Sequence, residues 1–276
     1  MLIVDNDWVS TRLATEAERT VVCDVRSTMG GADPHAAFAD GHLPGAVLVV
    51  LDDDLAAPPD GAAGRHPLPT PAAFAAALGR LGIGDDDLVV ATDDRGGAIA
   101  ARLVWMLRII GGDAVLLDGG LARWDGAVEA GPGTPRPTVE RTAVEWPEGA
   151  IADADDVAEH LAAGGVVIDS REPARYAGET EPIDAVAGHA PGAINVPFAL
   201  NLDADGRFRP VDVLAERFVA AAGDDAPIVY CGSGVTACHN ALAMEHAGLG
   251  RPRVYVGSWS GWSADPERPV ATGTDP

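Results

Sequence analysis

The residues best placed to do chemistry lie in one segment, APIVYCGSGVTACHNALAMEHAG, residues 226–248. A β-branched run ends at Tyr230, and Cys231 follows at the carboxyl end of the expected strand. Glycines at 232 and 234 let the backbone curl before a helix that starts near Val235. Open α/β sheets bind their ligands at the carboxyl ends of strands. Loop N–H groups and a helix N-terminus aimed at one sulfur favour an anion there, so Cys231 is read as a nucleophile. A small core residue is the rival reading, and it fits the other two cysteines better. Cys238 shares a helix face with Val235 and Leu242, and Cys23 lies inside the run VVCDVR, residues 21–26.

Three other chemistries fail on spacing. GSGVTA fits the dinucleotide pattern G-x-G-x-x-A, but that pattern belongs to the first strand–helix turn of its domain, with an acid about 20 residues on. Here the strand is the third of its half, and the next run, Arg253–Val256, holds no acid. A Cys-x5-Arg loop would clamp an oxyanion through its arginine. The sixth residue after Cys231 is Ala237. A zinc site needs clustered ligands at metal spacing, whereas Cys238 and His239 face different sides of a helix.

The chain is strongly acidic: 42 Asp and Glu oppose 19 cations in 276 residues, a net charge of −23. All 19 cations are arginine. Without lysine there is no Schiff base and no P-loop phosphate contact. The acidity repels phosphate backbones, so nucleic-acid partners are not expected. A 47% hydrophobic fraction supports a core, and with only 5% aromatics that core is mostly Ala, Val and Leu. No apolar run approaches the ~20 residues that span a bilayer. The opening stretch MLIVDNDWVSTRLA lacks a cationic region followed by an apolar one, so no signal peptide, no membrane contact and a cytoplasmic location are expected. Three cysteines give no disulfide framework.

Three pairs of matching segments then show what must position Cys231. VVCDVR (21–26) matches VVIDSR (166–171), GHLPGA (41–46) matches GHAPGA (188–193), and DGGLARW (118–124) matches VGSWSGW (256–262). The pairs recur in the same order and at nearly constant separation, so the chain is two homologous halves. Each half alternates strands (20–25, 46–50, 88–92 and 114–118; 166–169, 193–197, 228–231 and 253–256) with helices (71–80 and 98–110; 211–222 and 235–247). The pattern predicts α/β units on mainly parallel sheets flanked by helices. The expected division is a domain over 1–130, a Pro- and Gly-rich linker over 131–149, and a domain over 150–276.

The tandem halves, FADGHLPGA and VAGHAPGA, the loop CGSGVTA and the closing GSWSGW resemble two-domain rhodanese-like sulfurtransferases over nearly the whole chain. The loop is most like that of the 3-mercaptopyruvate type. The resemblance implies that Cys231 takes up a sulfane sulfur and passes it to a thiol or cyanide by ping-pong catalysis. The N–H groups of Gly232, Ser233, Gly234, Val235 and Thr236 would then stabilise the persulfide. In the first half TDDRGG stands at the matching place, with Asp93 at the cysteine position, so that half is read as catalytically silent.

The resemblance also implies a proton relay of Asp54, His66 and Ser233, and Arg175 as the substrate-carboxylate residue. Arg171, like Arg26, is read as an ion-pair partner of its own loop, and His42 and His189 as turn-stabilising. Two positions depart from the family pattern: Asp184 stands about where a second arginine is common, and Gly261 where an acid is common. Thiosulfate-preferring relatives carry cations in the loop, whereas Gly232 and Ser233 are neutral, so a monoanionic donor is expected. The alternatives are a thiosulfate:cyanide sulfurtransferase and a module that holds a persulfide without turnover. No cofactor or metal is implied. The expected partners are a small-molecule sulfur donor and a thiol acceptor, with thioredoxin, glutathione and cyanide all open, and the two domains can work as a monomer.

Overall fold

The computed structural model describes residues 1–29, 31, 33–223 and 226–276. They form two compact units. Unit 1 holds Met1–Ala57, Leu68–Trp146 and Ala204–Arg207; unit 2 holds Pro58–Pro67, Pro147–Asp203 and Phe208–Pro276.

Unit 1 runs β1 (Ile3–Val4), α1 (Asn6–Glu16), β2 (Thr20–Arg26), α2 (Pro34–Asp40), β3 (Val47–Val50), α3 (Leu51–Asp54), α4 (Pro71–Arg80), β4 (Leu88–Thr92), α5 (Ala100–Ile109) and β5 (Ala114–Leu117). Its sheet has the order β1-β5-β4-β2-β3, with every pairing parallel. Every residue of β2 is buried, as a strand covered on both faces must be. Helix starts follow the sequence chemistry: Asp33 and Thr70 accept the first free amides of α2 and α4, and Pro34 and Pro71 stand just inside, where no N–H is needed.

Unit 2 repeats the plan: β6 (Ile151–Ala152), α6 (Ala154–Ala162), β7 (Val167–Asp169), α7 (Pro173–Tyr176), β8 (Ile194–Asn195), α8 (Val211–Ala222), β9 (Ile228–Tyr230), α9 (Thr236–His246), β10 (Arg253–Tyr255) and α10 (Ser258–Trp262). Its order, β6-β10-β9-β7-β8, is that of unit 1 strand for strand, and it too is parallel throughout. The expected tandem α/β fold is therefore observed. Among the described residues no helix is long and apolar enough to cross a membrane.

The expected linker is where the structure adds most. Unit 1 extends to Trp146, so residues 131–146 of the segment 131–149 lie with it. They are strapped to it by hydrogen bonds: Gly131 N–H to the Ala39 carbonyl (2.8 Å), Val139 N–H to that of Gly79 (3.0 Å), and Trp146 Nε1 to that of Pro69 (2.8 Å). A proline-rich strap has no periodicity to show, yet its carbonyls and remaining amides still bond.

Buried arginine–aspartate pairs hold the strand ends. Arg171 bonds Asp169 (2.6 Å) and the Gly188 carbonyl (2.7 Å), and it lies 4.9 Å from the Trp259 ring centre. In unit 1 Arg26 likewise pairs with Asp24 and reaches the Gly41 carbonyl (3.4 Å). In both halves the turn histidine bonds a backbone carbonyl through Nδ1 and stacks on an aromatic ring, His42 on Phe38 and His189 on Tyr176.

Arg171→Met keeps the bulk of the side chain but strands Asp169, and breaking a buried pair costs about 3–5 kcal/mol. Urea unfolding of the variant should show that loss; a change under about 1 kcal/mol would mean the pair contributes little.

Candidate active site

The geometry of the Cys231 loop is clearest from its counterpart in unit 1. Asp93 follows β4 as Cys231 follows β9. Its fully buried carboxylate accepts four backbone N–H groups: Arg95 and Gly97 at 2.8 Å on Oδ1, Ile99 at 2.8 Å and Ala100 at 2.9 Å on Oδ2. This turn is therefore a ring of amides that holds an anion carried by the strand-end side chain.

Unit 2 ties the strand end of the equivalent turn in the same way. The Cys231 carbonyl accepts Trp259 N–H at 2.9 Å, as the Asp93 carbonyl accepts Leu121 N–H at 3.0 Å. The Gly232 carbonyl is likewise taken by Ser260 N–H at 2.9 Å. These bonds tie the loop's carbonyls to the turn that opens α10. Gly234 has φ +73°, and a Cβ there would lie 2.4 Å from the Val256 carbonyl oxygen, so only glycine closes the loop. Cys231 is buried at the mouth of this curl.

Ser258 fixes the cysteine from below. It is the one non-glycine residue with positive φ (+54°) among the described residues. Its counterpart in the DGG turn of unit 1 is Gly120, at φ +57°. Ser258 accepts the strain because its Oγ takes the Cys231 N–H at 3.1 Å and donates to the Tyr255 carbonyl at 2.9 Å. The Cys231 sulfur lies 4.0 Å from the same Oγ.

Residues 58–67 belong to unit 2 and bring two groups to the loop. His66 Nδ1 is 2.8 Å from Ser233 Oγ, and both side chains are buried. Arg65 pairs with Asp184. Arg175 is held by Glu181, with Nη2 2.7 Å from Oε1 and Nε 3.2 Å from Oε2. Burial alone would raise the Glu181 carboxyl, but Arg175 and the amides of Asp184 and Ile183 outweigh it and hold it below the usual carboxylate range.

Of the residues expected to act, Cys231, Ser233, His66, Arg175 and the loop residues 232–236 thus sit in one unit. Asp54 sits in unit 1, where its carboxylate accepts Val50 N–H at 2.7 Å and pairs with Arg80. Burial pushes its carboxyl above the ordinary range despite both partners. Cys23 and Cys238 are buried; burial drives the Cys23 thiol far up, and Cys238 donates to the Gly234 carbonyl at 3.3 Å. Arg65, Glu181 and Ser258 carry no local sequence signal of their role. The match of Ser258 to a DGG glycine is the one available hint.

The Rhodanese-like domain family matches residues 5–127 and 153–265. The chain belongs to the rhodanese family and is an enzyme of the sulfurtransferase kind. It is 46% identical over 246 residues to the "Probable 3-mercaptopyruvate sulfurtransferase" of Pseudomonas aeruginosa, covering 86% of each chain. It is 41% identical over 265 residues to the "Putative thiosulfate sulfurtransferase SseB" of Mycobacterium tuberculosis, covering 92% of this chain and 91% of the relative. The crystal structure of SseA, a 3-mercaptopyruvate sulfurtransferase from Escherichia coli, superposes with a TM-score of 0.79 at 29% identity, over 94% of this chain and 99% of that one.

Ser258→Ala removes the hydroxyl but keeps the left-handed backbone, whereas Ser258→Gly removes both the hydroxyl and the strain. The alanine variant should therefore be the less stable by about 1 kcal/mol. Thermal melts compare them, and equal midpoints would show that the turn relaxes freely.

Proposed function

We propose that this chain transfers a sulfane sulfur from a small anionic donor, 3-mercaptopyruvate first, through a persulfide on Cys231 to a thiol or cyanide. The observation that carries this reading is the amide ring around Asp93. It supports the reading because the equivalent turn of unit 1 holds a carboxylate at its strand end, and a cysteine persulfide is a negative charge at the same place.

The Cys231 thiolate attacks the donor sulfur. An S–S bond forms and the donor's C–S bond breaks, its electron pair passing to the methylene carbon as pyruvate enolate. The enolate then takes up the proton that the donor thiol has lost, leaving pyruvate and Cys–S–S⁻. Ser233 and His66, in contact at 2.8 Å, are placed to carry that proton. The family resemblance adds Asp54 to this pair; within unit 1 its carboxylate accepts from Val50 and pairs with Arg80. Arg175, oriented by Glu181, takes the donor carboxylate. In the second half-reaction a thiolate attacks the outer sulfur, the S–S bond breaks, and Cys231 leaves as thiolate. Thioredoxin, glutathione and cyanide are all candidate acceptors, and the three free cysteines suit a reducing compartment such as the cytoplasm.

Pyruvate release from 3-mercaptopyruvate, measured for the wild type and for Cys231→Ser, tests this reading. The serine variant should release none above background. His66→Gln should lower kcat by about 100-fold. Equal rates in wild type and Cys231→Ser would end the proposal, and a persulfide formed without pyruvate turnover would replace it with a sulfur-holding module.

A further inference from the structure

The expectation of a monoanionic donor rests on a loop without cations. The folded unit brings a cation to that loop together with its counter-ion: Arg65 leans over it from the segment 58–67, paired with Asp184. A Cβ placed on Gly232 would lie 3.1 Å from Arg65 Nη2, 3.3 Å from Arg175 Nη1 and 3.4 Å from Arg175 Nη2. Two guanidinium groups therefore converge on the residue next to Cys231.

The placement of Arg65 is built rather than incidental. Its N–H donates to Ser260 Oγ at 3.1 Å. Gly64 before it has φ +84°, and a Cβ there would lie 2.4 Å from the Gly257 carbonyl oxygen. Gly261 faces the same segment, since a Cβ there would lie 2.7 Å from the Ala62 carbonyl oxygen. The guanidinium pairs with Asp184, whose side chain is 8% exposed and whose Oδ2 lies 3.5 Å from Arg175. The two departures from the family pattern thus serve one arrangement: Gly261 gives the segment room, and Asp184 holds the cation that it delivers.

We propose that Arg65 is a second donor-binding cation and that it admits a dianionic, sulfonate-ended donor, of which thiosulfate is the simplest. This rests on the reading that Cys231 accepts the sulfur. In the step, the Cys231 thiolate attacks the outer sulfur of thiosulfate, a new S–S bond forms, the donor's S–S bond breaks, and sulfite leaves with the electron pair. Arg175 and Arg65 together oppose the two charges of the donor, and both still oppose the growing charge on the departing sulfite. A monocarboxylate needs only one of them. Donor choice in this chain is then set by a cation outside the cysteine loop.

Steady-state kinetics with both donors test this, using the full chain and the variants Arg65→Gln and Arg65→Lys, with thermal melts to confirm folding. Wild type should turn over thiosulfate as well as 3-mercaptopyruvate. Losing one charge-assisted contact should cut kcat/KM for thiosulfate by about 30-fold in Arg65→Gln, and for 3-mercaptopyruvate by less than about 5-fold. Arg65→Lys, which keeps the charge, should recover most of the thiosulfate activity. Equal losses for both donors would mean that Arg65 only seats the segment bearing His66, and no loss, or no thiosulfate turnover by wild type, would equally overturn the inference. Failure of the underlying reading looks different, because wild type would then release no pyruvate from 3-mercaptopyruvate either.

Discussion

A ring of backbone amides around one strand-end side chain is the constraint on which the rest depends. Amides have no side-chain freedom to lose and cannot be titrated, so a turn that points them inward is a fixed preference for negative charge. Unit 1 satisfies that preference with a carboxylate that is permanently part of the chain, Asp93. Unit 2 places Cys231 at the equivalent strand end, and in the function proposed its negative charge is gained, extended by one sulfur and returned. The two units share the strand order and the tie from the strand-end carbonyl to the opposite turn.

Around this ring the charge is arranged locally, against the chain as a whole. A net charge of −23 would repel any anionic donor, yet Arg65 and Arg175 converge on Gly232. Asp184 and Glu181 hold those arginines in place, so the acidic residues near the site orient cations and do not merely oppose the donor. The contacts are short and the groups half-buried, where the distant surface charge is screened and the near charges dominate. The remaining acid makes copies of the chain repel one another.

Much of this is legible in the sequence because repetition makes it so. The helices over 71–80 and 211–222 and the strand over 88–92 appear with the boundaries read from periodicity. Cys231 stands out through its flanking glycines, and the silent half through Asp93. The two-residue edge strands at Ile3–Val4 and Ile151–Ala152 are too short to show any period and exist only because β5 and β10 offer a parallel edge. The strap over 131–146 is hidden for a similar reason, since its bonds run to the rest of unit 1 and not within itself. Arg65 is invisible because its placement depends on carbonyl oxygens that approach Gly64 and Gly261 closely and on an ion pair with Asp184, far along the chain, contacts that no local pattern encodes. The loop itself is neutral, as its letters say, but the charge at the loop is a property of the fold.

The most direct test of the central claim is where a donor leaves its sulfur. After brief treatment with 3-mercaptopyruvate, peptide mass spectrometry should find one added sulfur, about 32 Da, on the peptide bearing Cys231, and cyanide should remove it as thiocyanate. Cys23, inside β2, and Cys238, inside α9, should stay unmodified. Sulfur on either of those cysteines, or none on Cys231 while pyruvate is still released, would contradict the account.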